Sequence, residues 1–115
     1  MLPPLPRRLL FAALLITITV LALMPAPPRL PGALGWDKLN HVAGFLALAL
    51  LARWAWPPAR WTALWVGLMG YGVALEFAQS FTPNRLAEGA DLVADALGIG
   101  LVQGADWLQR VLRRR

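Results

Sequence analysis

Apolar residues fall along this chain in four blocks, separated by breaks rich in proline and charge. The first, "LLFAALLITITVLALM" (residues 9–24), carries no charge, follows "PRR" and ends at "PAPP". The second, "LNHVAGFLALALLARWAW" (39–56), stops at Pro57-Pro58. The third, "WTALWVGLMGYGVALEFAQSF" (61–81), stops at Pro83. The fourth, over about 90–112, contains Asp91, Asp95 and Asp106 and is the least apolar. Each block approaches the length that crosses a ~30 Å hydrocarbon core as a helix. A lone strand in that environment would leave its backbone groups without partners. The pattern therefore predicts an all-α fold: an integral membrane bundle of four transmembrane helices in one domain, with spans at about 9–26, 39–56, 61–81 and 90–112.

The first block has a rival reading as a signal peptide, with two arginines ahead of it and the small-residue stretch "MPAPP" behind. Its apolar core is long for that purpose, and prolines crowd the cleavage position. Retention as a membrane helix is the expectation.

Composition agrees. The chain is 58% hydrophobic and only 15% charged, where a soluble domain is nearer half apolar and a quarter charged. There is no cysteine, which excludes disulfides and thiolate metal sites. The net charge of +5 is concentrated in arginines that flank the apolar blocks. With no basic face interleaved with exposed aromatics, a nucleic-acid partner is not expected. With the N-terminus in the cytoplasm, the inner side holds Arg7, Arg8, Arg53, Arg60, Arg110, Arg113, Arg114 and Arg115; the outer side holds Arg29, Lys38 and Arg85. That bias predicts a multi-pass protein of the inner (plasma) membrane with both termini cytoplasmic. Trp54, Trp56 and Trp61 then fall at the inner interface, with Trp107 near it.

The same topology gathers Asp37, Lys38, His41, Glu76, Gln79, Arg85, Glu88, Asp91 and Asp95 into one layer at the outer face. Lys38 and His41 are the only Lys and His of the chain. Asp37, His41 and Phe45 are four apart and share a helix face; so do Glu76 with Gln79 and Asp91 with Asp95, a stripe that Gly98 continues. Glycines at 67, 70 and 72, and at 98, 100 and 104, let helices approach. Charges near helix ends often merely reach the interface, and Asp91 alone would suit the dipole of its helix. Glu76 and Asp95 lie deeper, where an unpaired carboxylate costs several kcal/mol. They require partners, and Arg85, Lys38 and His41 are at hand.

These residues resemble the VanZ-like membrane proteins, whose pattern is Asp-Lys-x-x-His-x-x-x-Phe, a later Glu-x-x-Gln, a Pro-x-Arg loop, and Asp-x-x-x-Asn followed by Gly. Here these fall on Asp37, Lys38, His41 and Phe45; Glu76 and Gln79; Pro83 and Arg85; Asp91 and Gly98. Asp95 departs from the pattern, standing where the family usually has Asn. The match covers about residues 35–104. The resemblance implies a small polytopic protein of the cell envelope, linked through its namesake to reduced susceptibility to the glycopeptide teicoplanin.

The function expected is binding or modification of a membrane lipid or lipid-linked envelope precursor. His41, Glu76 and Asp91 are the candidate catalytic groups: His41 as general acid or base near neutral pH, the two acids orienting it or sharing its protons. Asp37, Lys38, Gln79, Arg85 and Asp95 are the candidate substrate-binding groups, Lys38 and Arg85 suited to a phosphate or carboxylate. A nucleophile is missing: Ser80 is the only Ser and Thr82 the nearest Thr, and neither lies in a recognisable elbow. His41, Glu76, Asp91 and Asp95 are hard metal donors, yet no known ligand motif joins them, so neither metal nor cofactor is expected. The alternatives are a small ion- or proton-coupled transporter and a non-catalytic envelope scaffold. A homo-oligomer is compatible with all three.

Overall fold

A computed structural model describes residues 3–24, 33–82 and 89–114, with the backbone alone for 33–37. It is all-helical, with no strand among the described residues. The four helices are α1 (Pro4–Leu23), α2 (Ala33–Ala55), α3 (Trp61–Gln79) and α4 (Gly89–Arg113).

Helix ends depart from the expected spans for local reasons. α1 starts five residues before the apolar block because proline is well tolerated in a first turn. It ends at Leu23, and the next residue, Met24, is extended (φ −69°, ψ 142°), the conformation favoured for a residue that precedes proline. α2 begins six residues ahead of its expected span, which puts Lys38 inside the helix and not at its mouth. Its backbone ladder closes with Trp56 N–H on Ala52 O at 2.9 Å, just before Pro57. α3 ends at Gln79, two residues early. α4 runs one residue beyond its expected span at each end, with Asp91 in its first turn and Arg110 and Arg113 in its last, complementing the helix dipole.

α2 and α4 form the closest pair, and α1 and α3 pack around them. The close approach is set by Gly98: a Cβ there would lie 2.5 Å from Val42 O and 2.7 Å from Leu46 N, so the α2 backbone rests directly on α4. Phe45, Leu48 and Ala49 of α2, Leu68 of α3, and Ile99 and Val102 of α4 form the buried core at mid-height.

The two ends of the bundle differ. At one end Arg7 Nη1 donates to Trp54 O at 2.7 Å, and its guanidinium lies over the Trp54 ring. Arg8 stacks on Trp56 and Arg53 on Trp61. Trp61 Nε1 donates to Asp106 Oδ2 at 2.9 Å, and Arg110 pairs with Asp106 at 2.8 Å. α1 is thus tied to the last turn of α2, whose carbonyls lack intrahelical partners. Glu76 of α3 and Asp91 and Asp95 of α4 gather at the opposite end.

Large apolar side chains are exposed on every helix, among them Leu9 and Ile16, Leu39 and Leu50, Val66 and Phe77, and Leu97 and Leu101. Among the described residues one helix, Pro4–Leu23, is long and apolar enough by length and composition to cross a membrane.

Candidate functional site

Asp91 and Asp95, one turn apart on α4, both face α2, and each is 1% exposed. His41 stands between them. Its Nδ1 is hydrogen-bonded to Asp95 Oδ1 at 2.8 Å, and its Nε2 is 3.5 Å from Asp91 Oδ2. Lys38, three residues earlier on the same face of α2, forms an ion pair with Asp91 Oδ1. A neutral imidazole donates through one nitrogen only; the imidazolium donates through both. His41 therefore sits where gain or loss of a proton changes its hydrogen bond to Asp95 and its contact with Asp91. Asp95 Oδ2 fits against Gly72 of α3, where a Cβ would stand 2.9 Å away.

Glu76, buried on α3, brings a carboxylate oxygen to the same place: one donor atom each of His41, Glu76 and Asp91 lie within 4.8 Å of one another. Those three are the residues able to hold a hard cation, although Asp91 is already served by the Lys38 ammonium. Gln79 turns away from this cluster, toward α1. Its Nε2 donates to Ala22 O at 3.0 Å, in the last turn of α1 where carbonyls lack helical partners. Gln79 is only 4% exposed, and its Oε1 has no hydrogen-bond partner among the described residues. The Asp37 side chain and Arg85, both expected in the layer, lie outside the described residues.

Beside the cluster, a cleft of about 480 Å³ opens between α1, α2 and α3. Asn40, His41 and Gln79 are its polar lining, and Ile18, Leu21 and Leu75 are among its apolar walls. His41 is thus shared by the carboxylate pair behind it and the cleft in front. Of the expected site residues, Lys38, His41, Glu76, Asp91 and Asp95 come together, and Gln79 joins them only across the cleft. Two contributors were not anticipated. Asn40 could have been singled out as a polar residue inside an apolar block, next to His41. The carbonyl of Ala22 could not, because a backbone group leaves no mark on the pattern of side chains.

The arrangement has definite chemical capacity. Burying an unpaired carboxylate costs several kcal/mol, and here one imidazole and one ammonium answer for Asp91 and Asp95. An imidazole on the cleft wall, backed by carboxylates, can take a proton from a bound group and return it. Comparison with protein-family models, with curated proteins and with solved structures found no match.

Proposed function

We propose that this chain is an integral membrane protein whose four helices all cross the bilayer, with both termini in the cytoplasm. In this reading its His41 cluster binds the polar part of a membrane lipid or lipid-linked envelope precursor at the outer face. Exposed apolar side chains on all four helices support immersion in lipid. The stacked arginines and tryptophans at one end match an inner interface. α1 is fastened to its neighbours by Arg7–Trp54, Thr19–Tyr71 and Gln79–Ala22 hydrogen bonds, which supports retention as a membrane helix over removal as a signal sequence.

The observation that carries the functional reading is the position of His41. It is held between two buried carboxylates, yet it forms part of the wall of a cleft that is polar at one side and apolar along the rest. An amphiphile suits such a cleft, its head beside Asn40, His41 and Gln79 and its tail along Ile18, Leu21 and Leu75. The resemblance to VanZ-like proteins agrees with this role and extends it to lowered teicoplanin susceptibility. The apolar core between the two ends speaks against a through-path for ions.

The test is the lipid that accompanies the protein through purification in mild detergent. Wild type should carry a species enriched over bulk membrane lipid. His41→Ala should lose it, and so should Gly44→Leu, which fills the cleft from a position where a Cβ meets only Ile18 Cδ1 at 3.6 Å. Identical lipid profiles in all three would reject the proposal.

A further inference from the structure

A second site lies at the arginine end. Phe11 and Leu15 of α1, Trp56 just after α2, and Leu64, Gly67 and Tyr71 of α3 line an apolar slot of about 250 Å³. Gly67 lines its open side, where a Cβ would meet nothing within 4 Å. Its wall is built from stacked groups: Phe11 meets Trp56 edge-on at 5.2 Å between ring centres, and the Arg8 guanidinium covers Trp56 at 5.3 Å. Arg8 is exposed, and among the described residues its polar contact is a long one, 3.5 Å from Nε to Ala55 O. Arg7, one residue away, is 9% exposed, and its Nε has no hydrogen-bond partner among the described residues. No carboxylate pairs with Arg7, Arg8, Arg53 or Arg60 among the described residues; Asp106, the acid at this end, pairs with Arg110.

A buried guanidinium nitrogen left over, uncompensated arginines around it and an apolar slot leading away define an anionic head joined to a hydrocarbon chain. We propose that this slot binds one anionic phospholipid of the cytoplasmic leaflet, its phosphate at Arg7 and Arg8 and one acyl chain between Phe11, Trp56 and Gly67. Guanidinium groups match phosphate oxygens in geometry and charge. The site is separate from the His41 cleft, with Tyr71 bonded to Thr19 at 2.6 Å between the two. It rests on the membrane reading above but not on the role given to His41.

The experiment is native mass spectrometry of the full chain in detergent, titrated with phosphatidylglycerol or with phosphatidylcholine of the same chains. Wild type should retain one phosphatidylglycerol in preference to phosphatidylcholine. Arg8→Gln should weaken that retention about fivefold, as expected for one basic residue at a membrane surface. Gly67→Phe should abolish it by filling the slot, with an unchanged gel-filtration profile; if that variant aggregates, Arg8→Gln and Gly67→Leu decide. His41→Ala should leave it unchanged. Soluble glycerol 3-phosphate should not compete; equal competition would mean a phosphate site and overturn the lipid assignment. Equal retention of the two lipids, or retention indifferent to both Arg8 and Gly67, would also overturn it. A chain extracted from membranes by alkaline carbonate would instead overturn the membrane reading itself.

Discussion

Gly72 on α3 makes room for the Asp95 carboxylate on α4: a methyl group at position 72 would stand 2.9 Å from Asp95 Oδ2. Asp95 is 1% exposed and bonded through its other oxygen to His41, so it has little freedom to withdraw. Gly72→Ala should therefore displace Asp95 and loosen His41, at an overpacking cost of about 1–3 kcal/mol. Gly67→Ala, in open space, should be neutral or stabilising. Thermal unfolding of both variants in the same detergent checks the contrast.

Gly98 sets the α2–α4 distance against backbone atoms, which cannot rotate aside. Gly98→Ala should force the two helices apart and destabilise at or beyond the upper end of the ~1–3 kcal/mol overpacking range. Gly104→Ala, with nothing within 4 Å of its Cβ, should gain up to about 1 kcal/mol from helix propensity. Denaturant titration of the two variants should give shifts of opposite sign; equal effects would contradict the packing described.

The Lys38–Asp91 pair makes a cycle. Asp91→Leu takes the Asp91 partner from the Lys38 ammonium and removes one of the two carboxylates facing His41, so it should cost up to about 3–5 kcal/mol, less whatever solvent and neighbouring groups recover at Lys38. Lys38 has 28% of its side chain exposed, which makes that recovery real. The double variant Lys38→Met, Asp91→Leu should be milder than Asp91→Leu alone. Additive losses would mean that the two do not interact.

Topology has its own check. A reporter fused after Arg115 should remain cytoplasmic, and one inserted between α3 and α4 should reach the other side. An efficiently exported C-terminal reporter would invert the bundle and move the His41 cluster to the cytoplasmic face.

Four helices were legible because proline closes the first three apolar blocks and arginines close the fourth, but their ends were not, because apolarity marks a span and hydrogen bonding marks a helix. Hence α2 starts six residues ahead of its expected span. The cluster was legible in part through spacing, which put Asp91 and Asp95 on one face of α4 and His41 on a face of α2 with Asp37 and Phe45; that Lys38 shares the His41 site was not read from spacing. Which cation meets which acid was not, since pairing depends on the register of α2 against α4 that Gly98 sets. Gln79 was expected in the cluster and instead caps α1, because the end of a helix offers carbonyls whose position no side-chain pattern encodes. Trp54, Trp56 and Trp61 were expected as a belt. Their stacking under Arg7, Arg8 and Arg53 respectively depends on where α1 crosses α2 and where the α2–α3 turn places Trp61.

In the proposed reading the His41 cluster works on a ligand and is more than a charge network holding helices together. Its most direct test is teicoplanin susceptibility of an expressing strain, read against folded membrane yield for wild type, His41→Ala, Asp95→Asn and Glu76→Gln. His41→Ala should remove the protective effect outright with only a partial loss of yield, because His41 borders the cleft and water entering there can hydrate Asp95 in place of the lost ring. Asp95→Asn keeps a hydrogen-bond acceptor for His41 and should retain yield with a reduced effect. Glu76→Gln removes a buried charge and should fold as well as wild type or better while losing the effect. Loss of the effect only in step with loss of yield, across all three variants, would contradict the claim and leave the cluster a scaffold.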